Sequence, residues 1–109
     1  MAARALNSDP EQHHPGAPLE RNAAEALART LRAVADPTRL QLLSMIAGAP
    51  DEEVTVGDLA ASLGLSQPTV THHLRILVDD GVVVRQQRGK YVWHAIAPDR
   101  RAAIIDLLR

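Results

Sequence analysis

One stretch of this sequence carries side chains suited to reading hydrogen-bonding edges: Ser66-Gln67-Pro68-Thr69-Val70-Thr71-His72-His73-Leu74-Arg75. If Val70, Leu74 and Leu77 turn inward at helical spacing, then Gln67, Thr69, Thr71, His72 and Arg75 turn outward. Gln can read adenine bidentately, Arg can read guanine, and Thr can meet a thymine methyl. Ser66 stands where the helix begins, and a helix N-terminus favours a phosphate. His73 lies beside Val70 and Leu77 and reads as a packed, hydrogen-bonded histidine. A second set is Arg85, Arg88 and Lys90, which lie between Gly81 and His94 with no acid among them. Such a set suits a phosphate backbone or a minor groove, or else simply a solubilising turn. The third set is imidazole: His13-His14 near the N-terminus, and His94. Imidazole suits nickel, zinc and copper(II), so these three are the candidate metal ligands. The competing readings are solvated histidines for the pair and a structural strand histidine for His94.

The composition narrows the chemistry. The chain has 109 residues, room for one domain, and 46% of them are hydrophobic, too many for a disordered protein. It has no cysteine, which excludes disulfides, thiolate nucleophiles and thiolate-held zinc. The formal net charge of −1 argues at first against a nucleic-acid partner. The charge is unevenly placed: residues 1–55 carry five Arg and eight acids, and residues 56–109 carry seven Arg or Lys and five acids. Local sign governs a groove contact more than the total does. No apolar run is long enough to span a membrane and no secretory h-region is present, so a cytoplasmic location is the expectation.

These side chains need elements to hold them. Residues 1–20 read as a flexible arm, punctuated by Pro10, Pro15, Gly16 and Pro18. Residues 21–109 read as the domain. Leu27, Leu31 and Val34 make one apolar helical stripe that stops at Asp36-Pro37, and the next helix ends at Gly48-Ala49-Pro50. After an acidic loop at 51–53, Val54-Thr55 can add a short strand, and Thr55 can cap a brief helix that ends at Gly64. Ser66 opens the polar-faced helix, which Gly81 ends. The period then changes: Val82–Arg85 and Tyr91–Ile96 predict a hairpin around Arg88-Gly89, and Pro98-Asp99 starts a last helix. The fold expected is mainly α with a small β-hairpin wing, a winged helix-turn-helix in the order α-α-α-α-β-β-α. The last helix is apolar almost all round, so a second copy of the chain is expected to cover part of it. Leu27, Leu31, Ile104, Leu107 and Leu108 are the candidate dimer contacts.

Ala35-Asp36-Pro37-Thr38-Arg39-Leu40, Leu59–Leu65 and above all Ser66–Arg75 resemble the ArsR/SmtB family of winged-helix repressors. The resemblance covers roughly residues 22–109. It implies a homodimeric regulator on a double-stranded DNA operator with palindromic half-sites, and an inducer that is often a metal ion. It leaves room for a coregulator protein. The chain departs from the family where thiolate-using members carry cysteines, since Thr55 and Gly57 stand there, and the last helix has no His. An N-terminal histidine arm, used by some nickel-sensing relatives, is left together with His94 as the candidate nickel or zinc site. The alternative function is a winged helix that acts through a partner protein with weak or no DNA binding. No catalytic residue is assigned, because Ser66, Thr71 and His72 share one helix surface without a cleft-forming domain.

Overall fold

A computed structural model describes residues 16–109, and His13 and His14 lie outside the described residues. Helix α1 (Arg21–Val34) stops just before Asp36-Pro37. Asp36 is extended, at φ −154° and ψ 131°, and its carboxylate accepts from the Arg39 N–H at 3.0 Å. That bond satisfies one of the free N–H groups opening α2 (Pro37–Gly48), where Pro37 has none to lose. A 3₁₀ turn (Pro50–Glu52) leads to strand β1 (Glu53–Thr55). The Thr55 hydroxyl then caps α3 (Val56–Leu63) through the Asp58 N–H at 3.3 Å. Gly64 ends α3 at φ 66° and ψ 31°, a left-handed conformation that a Cβ would strain. Ser66 caps α4 (Gln67–Asp79), so α3, Gly64 and α4 form the expected helix-turn-helix.

Strands β2 (Val83–Arg88) and β3 (Tyr91–Ile96) pair antiparallel, from Val83 opposite Ile96 to Arg88 opposite Tyr91. The pairing runs further toward the tip than Val82–Arg85 predicts. Gly89 and Lys90 close the hairpin, with Gly89 at the positive φ of 62° that a two-residue turn needs. Strand β1 adds to the other edge of β3, placing Val54 opposite His94 and giving the order β1-β3-β2. Alternation sorts the side chains. Val83, Arg85, Ile96 and His94 share the face toward the core, and Val84, Gln86, Arg88 and Trp93 share the other.

The core lies between α2, α3, α4 and the inner face of the sheet. Leu42, Leu43 and Ile46 of α2 meet Leu59 of α3, Val70, Leu74 and Leu77 of α4, and Val82 and Val83 beside the hairpin, all fully buried. The last helix corrects one expectation. A 3₁₀ turn (Pro98–Arg100) precedes α5 (Arg101–Leu108), and Ile104 is only 1% exposed within the single protomer. Ile104 therefore belongs to the protomer's own core and is not a dimer contact; α5, which carries it, packs on α2. Leu27, Leu31 and Leu107 stay exposed, and Leu108 is half-buried at the edge of the core. The Arg100 guanidinium donates to the Thr30 hydroxyl and so fastens the last turn to α1. Among the described residues no helix is long and apolar enough to cross a membrane.

Candidate nucleic-acid interface

Helix α4 turns Val70, Leu74 and Leu77 inward, and Gln67, Thr69, Thr71, His72 and Arg75 are all exposed. Gln67, Thr71 and Arg75 recur every fourth residue, one above the other on the helix surface. Together with Pro68 and His72 they line one shallow concavity. Ser66 and Thr69 are occupied differently. The Ser66 hydroxyl accepts from the Thr69 N–H at 3.2 Å and donates to the Thr69 hydroxyl at 2.9 Å. Their side chains thus close the helix start, and what they present to a ligand is its remaining N–H groups.

The wing splits its cations between two faces. Arg85 lies opposite His94, on the side facing α4, and borders the same cleft as Thr71 and Arg75. Among the described residues neither Arg75 nor Arg85 is in an ion pair. Arg88 lies on the opposite face, where Glu53 pairs with it at 2.6 Å and its guanidinium sits 4.8 Å from the Trp93 ring centre. Lys90 lies over the Tyr91 ring at 5.6 Å. Of the three wing cations, Arg85 is the one joined to the α4 face.

Two groups that the outward face does not reveal hold it in place. Arg39 of α2 is mostly buried; its Nε donates to the Ala33 carbonyl at 2.5 Å, and its Nη1 reaches His73 Nδ1 at 3.2 Å. One guanidinium so ties the end of α1, the start of α2 and the middle of α4 together. The Asp36 carboxyl is held below its usual range, first by the Arg39 N–H and further by the charges of Arg39 and His73. Asp36-Pro37 marks this junction in the sequence, but nothing local to Arg39 names His73 as its partner.

His94 sits in the middle of β3, 5% exposed, and among the described residues its Nδ1 has no hydrogen-bond partner. An unpartnered buried group of this kind costs about 1–3 kcal/mol. Burial, and then the Arg85 charge, push its proton affinity below the ordinary histidine range. It borders a cleft of about 440 Å³ between α4 and the wing, with Leu74, Val78 and Val92 below and Arg75, Asp79 and Arg85 at the mouth. A metal ion does not fit these surroundings. Among the described residues no group of three His, Asp, Glu or Cys side chains comes together, and Arg85 opposes a cation.

A polar-faced helix set behind a shorter one, with a basic hairpin beside it, defines a winged helix-turn-helix domain. Residues 36–84 match the family described as bacterial regulatory protein, arsR family. The chain is 35% identical over 95 residues to the HTH-type transcriptional regulator NmtR of Mycobacterium tuberculosis, covering 87% of this chain and 77% of that one. It is 39% identical over 85 residues to a probable mercury resistance operon repressor of Streptomyces lividans, covering 78% of this chain and 66% of that one. Among solved structures it is similar to the homodimeric winged helix-turn-helix DNA-binding domain Mb0332 of Mycobacterium bovis. The TM-score is 0.70 at 27% identity, covering 85% of each chain. The chain belongs to the ArsR family, and it is a DNA-binding transcriptional regulator rather than an enzyme.

The depressed proton affinity of His94 links stability to pH. The unfolded chain takes up a proton near pH 6.5, whereas the folded chain takes it up only at lower pH. Stability that is fully present above about pH 6.5 is lost as the pH falls toward the folded value, by up to about 1.4 kcal/mol per pH unit. Urea unfolding at about pH 7.5 and about pH 5.5 checks this: His94→Phe loses less stability on acidification than the native chain. Equal losses would contradict the buried, neutral imidazole.

Proposed function

We propose that two copies of this chain read mirrored half-sites of an operator, each laying α4 in the major groove. The observation that carries this is the continuous outward row Gln67, Thr71 and Arg75, with Arg85, in no ion pair among the described residues, across the cleft. Gln67, Thr71, His72 and Arg75 are assigned to base edges, and the N–H groups after Ser66, with Thr69 at that end, to a phosphate. Arg85 and Lys90 are assigned to the backbone beside the groove. Arg88, held by Glu53, is given a smaller share. The homodimeric Mb0332 domain supports a second copy, and exposed Leu27, Leu31 and Leu107, with half-buried Leu108, are the surface assigned to it. Two-fold pairing then calls for half-sites about one turn of DNA apart. A cytoplasmic location goes with this reading.

Metal responsiveness rests on a narrower base. Among the described residues of one protomer no three His, Asp, Glu or Cys side chains come together, and nickel or zinc is assigned to His13 and His14. The mercury-related name of the Streptomyces relative makes a metal signal worth testing. Replacing both histidines by Ala in the full chain abolishes nickel and zinc uptake in calorimetric titration. Uptake equal to the native chain's would remove the assignment.

Anisotropy titrations on selected operator DNA test the DNA contacts. Arg75→Ala and Gln67→Ala each cost about 1–3 kcal/mol, with relaxed sequence preference, and Arg88→Ala costs less than Arg85→Ala. With three backbone-reaching cations per protomer, the log–log salt slope of the dimer is about −5. A slope near zero would instead support action through a partner protein.

A further inference from the structure

The lining of the cleft between α4 and the wing is divided. Leu74, Val78 and Val92 form an apolar floor, while Arg75 and Arg85 stand at the mouth without ion-pair partners among the described residues. Asp79 is the one carboxylate on the lining, so cationic charge prevails there. His94 borders the cleft from the sheet, 5% exposed, and among the described residues its buried Nδ1 has no partner. The volume of about 440 Å³ falls within the roughly 300–1,000 Å³ of small-molecule sites. A DNA phosphodiester could meet the two guanidiniums at the mouth, but it would leave the apolar floor and the imidazole without a partner.

We propose that this cleft binds a small organic anion with an apolar body, of the aromatic carboxylate class. The carboxylate meets the Arg75 and Arg85 guanidiniums, the ring lies on Leu74, Val78 and Val92, and His94 supplies a neutral ring N–H to a ligand oxygen. Burial holds that imidazole neutral, so it donates without adding a charge of its own. Thr71, Arg75 and Arg85 also belong to the proposed DNA face, so an occupied cleft and a bound operator exclude one another. That consequence rests on the DNA-binding reading; binding of the anion does not.

The test uses the full chain without DNA, with benzoate as the probe and benzyl alcohol as its uncharged counterpart, read at the His94 imidazole and Arg85 Nε resonances. Benzoate shifts both saturably, and benzyl alcohol binds about tenfold more weakly or less. Arg85→Ala, a change at an exposed position, weakens benzoate by a similar factor, and His94→Phe removes the contact from the sheet side. Absence of a saturable shift at His94, or equal binding of the two probes, overturns the proposal. A second titration adds benzoate to the protein–DNA complex, and release of DNA is expected. If benzoate saturates the cleft while no DNA binds under any condition, the site stands and the DNA reading falls. If DNA binds normally and benzoate leaves His94 unmoved, the site alone falls.

Discussion

Burial of Val70, Leu74 and Leu77 decides what the rest of α4 can present. All three are at most 1% exposed, and each contributes roughly 1.5–3 kcal/mol by leaving water. A helix turns 100° per residue, so rolling α4 by one position would bring polar side chains into the core and pull these three out. The cost of that roll fixes the direction of Gln67, Thr71 and Arg75. Gly64 and Ser66 set where the helix starts, and Gly81 sets where it stops. Arg39 adds the remaining restraint, joining His73 of α4 to the carbonyl of Ala33 in α1. Since α1 also carries Leu27 and Leu31, one guanidinium connects the surface assigned to dimerisation with the helix assigned to DNA. Shape and charge on the outer face are therefore consequences of inner packing.

The wing obeys a stricter periodicity. Each step along a strand reverses the face, so Arg85 and Arg88 cannot serve the same surface. Among the described residues Arg85 has no ion-pair partner beside α4, while Arg88 is drawn over Trp93 to Glu53. A chain with a net charge of −1 can thus still offer a locally positive surface beside α4. The acids of its first half are partly spent on arginines away from that surface, as in the paired contacts of Glu52 with Arg101 at 2.6 and 2.7 Å. This pair also steadies a loop where Asp51 and Glu52 both adopt positive φ, near 56° and 57°, which side chains other than glycine resist.

Much of this was legible in the sequence, because the boundaries are set by local chemistry. Asp36-Pro37, Thr55, Gly64 and Ser66 each act on neighbours within a few residues, and each marks an observed helix end. The inward and outward sides of α4 follow from spacing alone. What could not be read depends on partners distant in the chain. The pairing of β1 with β3 requires knowing that Val54 meets His94. The capture of Arg88 by Glu53 follows from that same strand. Ile104 looked like one more apolar residue on an apolar helix, and its burial depends on where α2 passes. The burial of His94, and the cleft it borders, likewise arise only once the sheet closes against α4.

Everything in this scheme turns on α4, presented twice by a dimer, reading DNA. Hydroxyl-radical footprinting on fragments selected from genomic DNA tests it most directly. Fragments retained against excess competitor, with two protected zones of mirrored sequence centred about 10 base pairs or a multiple of that apart, are expected. Failure of the protein to enrich any fragment, or a footprint that drifts without a fixed register, would contradict it.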